Sequence, residues 1–158
     1  MIKFTKAWWH KCLEDKEKLE HWLVSLYNNE KDAEERFINF ANTYCSEDKE
    51  AYDTFIEIAR QEKNHAIMVD KILKERGVKL YEKTSKNGRY WRNTLNCICD
   101  MKTAAAIGAF AEGLSLRRMR VILKDPKTPL DLIELFEVIE PEESYHAKAL
   151  EKIATKFG

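Results

Sequence analysis

Two short stretches, Glu62-Lys-Asn-His65-Ala66 and Glu143-Ser-Tyr-His146-Ala147, repeat the pattern Glu-x-x-His-Ala 81 residues apart. Each has a lone glutamate upstream: Glu30 lies 32 positions before Glu62, and Glu112 lies 31 positions before Glu143. Arg36 and Arg118 recur six residues after those glutamates, so the chain reads as two copies of one helical hairpin. Glutamate and histidine three apart on a helix project to one face. Four carboxylates and two imidazoles in this pattern are the donor set of a two-metal carboxylate site.

Charge explains why metal is needed. Two like charges 4 Å apart repel by about 4 kcal/mol at an effective dielectric of 20, and each buried ion carries a desolvation cost of several kcal/mol besides. Two divalent cations bring four carboxylates to zero net charge, while the imidazoles add neutral nitrogen donors. Oxygen-rich ligation with one histidine per metal suits iron, with manganese as the alternative. Structural zinc instead takes closed thiolate or imidazole tetrahedra. Glutamate is common here, 19 residues of 158, so a single Glu-x-x-His means little by itself. The matching upstream glutamates and the apolar setting of all six residues carry the assignment.

That setting comes from helices. Five glycines and three prolines punctuate the chain and fall where helices should end. Leu19, Leu23, Leu26, Tyr27, Glu30, Ala33, Phe37, Phe40 and Tyr44 recur at spacings of three and four, predicting a first helix from about Glu14, or earlier, to Tyr44. A second helix is expected from a Ser46 cap to Arg76, with Gly77 as terminator. Residues 78 to 90 are polar and aperiodic and read as a crossover. A third helix is expected from about Tyr90 to Lys124. After Pro126, a fourth is expected from a Thr128 cap and Pro129 to about Lys156. Counting outward from the two turns puts Glu30, Glu62, Glu112 and Glu143 at one height. Glu34 competes with Glu30 for the inner face.

The fold expected is all-α: a ferritin-like four-helix bundle of two antiparallel hairpins joined by a long crossover, with residues 1–158 forming one domain. This arrangement of two single-glutamate helices and two Glu-x-x-His helices is the recognised pattern of ferritin-like di-iron carboxylate proteins. The segment Glu30 to Ala41 resembles the first helix of rubrerythrins, and Glu62 to Ala66 resembles their second. The resemblance spans about residues 14 to 156. It implies Glu30 and Glu112 as terminal ligands, Glu62 and Glu143 as bridges, and His65 and His146 as one nitrogen ligand per iron.

Three departures matter. Rubrerythrins place an additional glutamate three residues after the third-helix ligand, where this chain has Ser115, and no rubredoxin-type Cys-x-x-Cys pair occurs. Position 63, where bacterioferritin would carry its haem-ligating methionine, is Lys63. What remains is similar to stand-alone ferritin-like oxidases and oxygenases, such as the aldehyde-deformylating oxygenases and the tRNA hydroxylases. The resemblance therefore implies a di-iron enzyme that activates O2 to oxidise a small or apolar substrate, with electrons from a separate electron-transfer protein. The alternative is a rubrerythrin-like peroxidase acting on peroxide, or a ferroxidase, with no organic substrate.

Bulk properties fit a cytoplasmic protein. Lys plus Arg and Asp plus Glu both total 27, so overall charge gives no pull towards nucleic acid or anionic membrane. No signal core or run of 18 apolar residues occurs. The remaining residues have structural readings. Trp8, Trp9 and Trp22 either cap one bundle end or form an apolar substrate mouth, His10 and His21 sit at the surface, and Cys97 and Cys99 pack inward. Arg36 and Arg118 either pair with carboxylates near the site or lie on solvated faces. Pro141, two residues before Glu143, is a kink that either opens room at the site or is harmless.

Overall fold

A computed structural model describes residues 2–81 and 88–156. Its helices are α1 (Ile2–Glu14), α2 (Lys16–Tyr44), α3 (Lys49–Glu75), α4 (Arg89–Thr94), α5 (Met101–Lys124) and α6 (Leu130–Thr155), with a 3-10 turn at Leu95–Cys97. No strand occurs among the described residues. Helix α2 packs along α3 and α5 along α6, and the two pairs meet through α3 with α6 and α2 with α5. This is an all-helical arrangement consistent with a ferritin-like fold. Most of the expected crossover, residues 82–87, lies outside the described residues.

Local chemistry moves several boundaries. The first helix is two helices: Asp15 has extended backbone and its carboxylate accepts from the amides of Glu17 and Lys18, capping α2. Residues 14–18 are all charged and interrupt the apolar spacing between Leu13 and Leu19, so the expected start near Glu14 falls within two residues of α2 and only its continuation to earlier residues fails. Asp48, rather than Ser46, caps α3 by accepting from Ala51 N. At the far end Gly77 takes φ +68°, with Gly77 N bonding Lys74 O and Val78 N bonding Leu73 O, the paired bonds of a Schellman terminator.

The third expected helix is interrupted. Its regular part starts only at Met101, where Asp100 and Thr103 form a reciprocal capping box. Cys97 and Cys99 are exposed in that interruption and Ile98 is buried, the reverse of the inward packing expected of the cysteines. Thr128 does not cap α6. Pro129 holds the cap position, while Thr128 Oγ1 accepts from Trp9 Nε1 at 2.9 Å and donates to Ile122 O at 2.7 Å. Helix α6 continues through Pro141, which is exposed.

Two apolar clusters flank the middle of the bundle. One gathers Leu23, Leu26, Val69, Leu73, Ile122 and Phe136 with Trp9; Trp8 and Trp22 pack against it, Trp22 edge to face with both other tryptophans. The other gathers Phe37, Phe40, Phe55, Ile58, Ala104 and Leu150. Close approach of α5 depends on Gly108: a Cβ there would sit 3.1 Å from Leu150 Cδ1 and 3.4 Å from Phe37 Cε1. Across the bundle end, Arg76 at the close of α3 donates to both oxygens of Asp131 in the first turn of α6, at 2.7 and 2.8 Å.

Helix α1 is part of this core, because Trp9 is fully buried and hydrogen-bonded to the α5–α6 connection. Replacing Trp9 by alanine should cost about 3–5 kcal/mol, read as a lower urea midpoint with unchanged slope. A loss under about 1 kcal/mol would show that α1 contributes little to the fold.

Candidate metal centre

Between the two apolar clusters lies a layer of acids and imidazoles. Glu30 and Glu62 are the central residues of α2 and α3, and Glu112 and Glu143 fall within one residue of the centres of α5 and α6. All four are buried, at 5%, 2%, 7% and 1% exposure, and His65 and His146 are fully buried. Residues one and two turns away on each helix belong to the apolar clusters, so helical period aims these six side chains inward together.

The six form two overlapping quartets. Glu30, Glu62, His65 and Glu143 make one, and Glu62, Glu112, Glu143 and His146 the other; within each quartet the donor atoms lie within 4.8 Å of one another. Glu62 and Glu143 belong to both. His65 Nδ1 lies 3.3 Å from Glu30 Oε2, 3.8 Å from Glu62 Oε2 and 3.4 Å from Glu143 Oε1. His146 Nδ1 lies 2.9 Å from Glu62 Oε1 and 3.7 Å from Glu112 Oε2. The structure thus brings all six sequence-predicted site residues together. Glu34, the competitor of Glu30, points away and pairs with Lys63 at 3.5 Å.

Several of these atoms are buried without a hydrogen bond: Glu62 Oε1, Glu143 Oε2 and His146 Nδ1. The 2.9 Å approach of His146 Nδ1 to Glu62 Oε1 lacks hydrogen-bond geometry. Leaving a buried polar atom unsatisfied costs about 1–3 kcal/mol, more when it is charged. Acceptor atoms converging without donors are what a cation between them would satisfy, so the donor set fits divalent metal.

Without metal the cluster must hold protons. Burial, then the fields of Glu30 and Glu112, push Glu62 well above the ordinary 4.5. Burial, then Glu112 and Glu62, do the same to Glu143. Glu112 is also desolvated, but its interactions with Glu143 and His146 outweigh burial and hold it low. For His65, burial disfavours the charged form, yet the surrounding Glu143, Glu30 and Glu62 overcome it and raise the value.

Two positions that the sequence reading passed over complete the site. Each imidazole turns its outer nitrogen to a polar group on the facing Glu-x-x-His helix: His65 Nε2 lies 2.5 Å from Glu142 Oε2, and His146 Nε2 lies 2.7 Å from Gln61 Oε1. Such contacts orient the rings with Nδ1 towards the carboxylates, the side from which a metal would bind. The available signal was register, since Gln61 and Glu142 immediately precede the motif glutamates, 81 residues apart.

The arginines differ from one another. Arg36 is buried, with its guanidinium 3.9 Å over the Trp91 ring, and burial lowers it to about 10. Arg118 is exposed, 5.0 Å over the Trp8 ring. His10 is tied to buried Asp125 at 2.5 Å, and His21 stacks on Tyr81. A cavity of about 470 Å³ lies between α2 and α5, with all four carboxylates on its inner wall and Trp22, Arg36, Trp91 and Ser115 among its other walls.

These shifts fix a pH dependence. Folded Glu62 and Glu143 keep protons that the unfolded chain releases above 4.5, and His65 acts in the same sense above 6.5. Their stabilisation is complete below those ordinary values and is lost as pH rises through the elevated ones. The lowered Glu112 opposes this only around and below 4.5. Metal-free protein should therefore show a falling Tm as pH rises from about 5 to neutrality. Saturating Mn(II) should abolish or invert that slope, because metal replaces the protons. A metal-free Tm that rises with pH over this range would contradict the assignment.

No curated protein and no solved structure matches the chain. A family model described as Rubrerythrin matches residues 22–154, which takes in α2 to α6 nearly complete together with all six residues of the cluster. Rubrerythrin-like proteins bind iron. On this match the chain belongs to the rubrerythrin family, within the ferritin-like di-iron carboxylate superfamily.

Proposed function

We propose that the protein is a non-haem di-iron oxidoreductase that activates O2 to oxidise a small or apolar organic substrate, with electrons supplied by a separate protein. In this reading Glu30, Glu62, His65, Glu112, Glu143 and His146 would hold two iron ions, manganese being the alternative, with Glu62 and Glu143 the carboxylates common to both quartets. Two ferrous ions held this way supply two-electron reduction of O2 beside the carboxylates.

The observation that carries the reading is the cavity between α2 and α5. It reaches the carboxylates from one side, and its wall has Ser115 where rubrerythrins place a further glutamate. A serine leaves space and a hydroxyl where a carboxylate would otherwise project. Trp22 and Trp91 add apolar wall, so a small organic molecule can lie against the layer.

The chain's own groups do the rest. The apolar clusters close two sides of the layer against water, which strengthens the electrostatic contacts within it. Glu142 and Gln61 hold the imidazoles with Nδ1 inward. Glu62 and Glu143, whose protons are held high when metal is absent, release them as cations enter and are the groups placed to accept protons again beside the cavity.

Protein loaded with Fe(II) under anaerobic conditions and then exposed to O2 should bind two irons per chain and develop an O2-dependent near-ultraviolet absorption. With an external reductant, O2 consumption should rise on adding a suitable small apolar substrate, aldehydes being the first class to screen. Ser115→Glu should slow that substrate-dependent turnover about tenfold or more by filling the cavity wall, while two irons still bind. Sustained oxidation of excess Fe(II), or peroxide turnover, with no response to any organic compound and none to Ser115→Glu would favour the ferroxidase or peroxidase reading instead.

A further inference from the structure

The two halves of the site match in their carboxylates and imidazoles but differ one contact further out. His65 Nε2 meets the carboxylate of Glu142, whereas His146 Nε2 meets the amide of Gln61. These partners occupy the same place in the repeat, so near-symmetry of the ligands is broken at this pair alone among the groups that touch the imidazoles' outer nitrogens.

Both contacts are held in a definite sense. Gln61 Nε2 donates to Glu57 Oε1 at 3.2 Å, which leaves Gln61 Oε1 to accept from His146. Glu57 in turn accepts from Arg60 at 2.9 and 2.6 Å, fixing the chain of contacts from outside. Glu142 lies within the field of Arg60, but the guanidinium hydrogen-bonds to Glu57. Its side chain is 37% exposed, so solvent screens part of its charge.

An ionised acceptor makes a hydrogen bond roughly twice as strong as a neutral one. Through the ring, it makes the opposite nitrogen a better metal donor. The quartet around His65 therefore gains both a more basic Nδ1 and a nearby negative charge. The quartet around His146 gains an amide dipole, and the charge of Glu57 behind Gln61, whose field also reaches His146, is offset by its two hydrogen bonds from Arg60.

We propose that Glu142 and Gln61 make the two metal positions unequal: a divalent ion fills the Glu30–His65 position first and is held there more tightly than its neighbour at Glu112–His146. Both are positioning residues, acting through the imidazoles. The inference rests on the two-metal reading above and concerns binding, independently of any reaction.

Anaerobic titration of the intact metal-free protein with Co(II), followed by visible absorption and calorimetry, tests it. Two steps should appear, about tenfold or more apart, at the lower end of the usual 10- to 100-fold effect of such partners because Glu142 is partly screened. His65→Ala should remove the tight step, and His146→Ala should spare it. Glu142→Gln should weaken the first step about tenfold, and Gln61→Glu should tighten the second, each narrowing the gap from its own side. Circular dichroism on each variant separates these effects from unfolding, and Gln61→Glu, a gain of affinity, cannot be mimicked by misfolding. Two equal steps in the unmodified protein, loss of the tight step in His146→Ala instead, or no tightening in Gln61→Glu would overturn the inference. Failure to bind Co(II) at all would instead sink the two-metal reading.

Discussion

Four carboxylates share one buried layer at the centre of this protein, and their mutual repulsion is the constraint that the remaining structure answers. The fold sets them at mid-height of α2, α3, α5 and α6 and closes the layer with apolar side chains on both sides. Low polarity above and below makes uncompensated charge costly and makes cation binding correspondingly favourable. Protons on Glu62, Glu143 and His65 compensate when metal is absent. Two divalent ions would do so more completely, and would also satisfy buried polar atoms that no hydrogen bond reaches.

The same layer links stability to function. The imidazoles are fixed from the outside by Glu142 and Gln61, so their inner nitrogens face the carboxylates before any ion arrives. A cavity between α2 and α5 reaches the layer, with Ser115, a small residue, in its wall. A site organised in this way can bind metal without large rearrangement and still receive a second small molecule. Trp9 anchors α1 beneath one apolar cluster, so even the N-terminal helix belongs to the closure of the layer.

Much of this was legible in the sequence because helical period and chemistry reinforced each other. The paired Glu-x-x-His motifs and their upstream glutamates gave hairpin register as well as donor type, and all six residues converge. Helix ends were less legible, since neighbouring cap formers compete: Asp48 outbids Ser46, and Asp15 caps α2 inside the charged stretch 14–18, where no apolar residue marks which helix each position belongs to. Thr128 looked like a cap and instead bridges Trp9 to Ile122, a contact made across more than a hundred residues. Cys97 and Cys99 point outward because the expected third helix, which starts on time at Arg89, is interrupted between Thr94 and Met101, a break that apolar spacing does not announce. Gln61 and Glu142 look like ordinary polar helix positions until the facing helix is in place.

The most direct measurement is anomalous diffraction from crystals of the protein loaded with Mn(II) or Fe(II). The account predicts two peaks inside the layer, one beside Glu30 and His65 and one beside Glu112 and His146, with oxygens of Glu62 and Glu143 shared between them. Peaks only at the surface, or a fully loaded crystal whose central layer holds no ion, would contradict it.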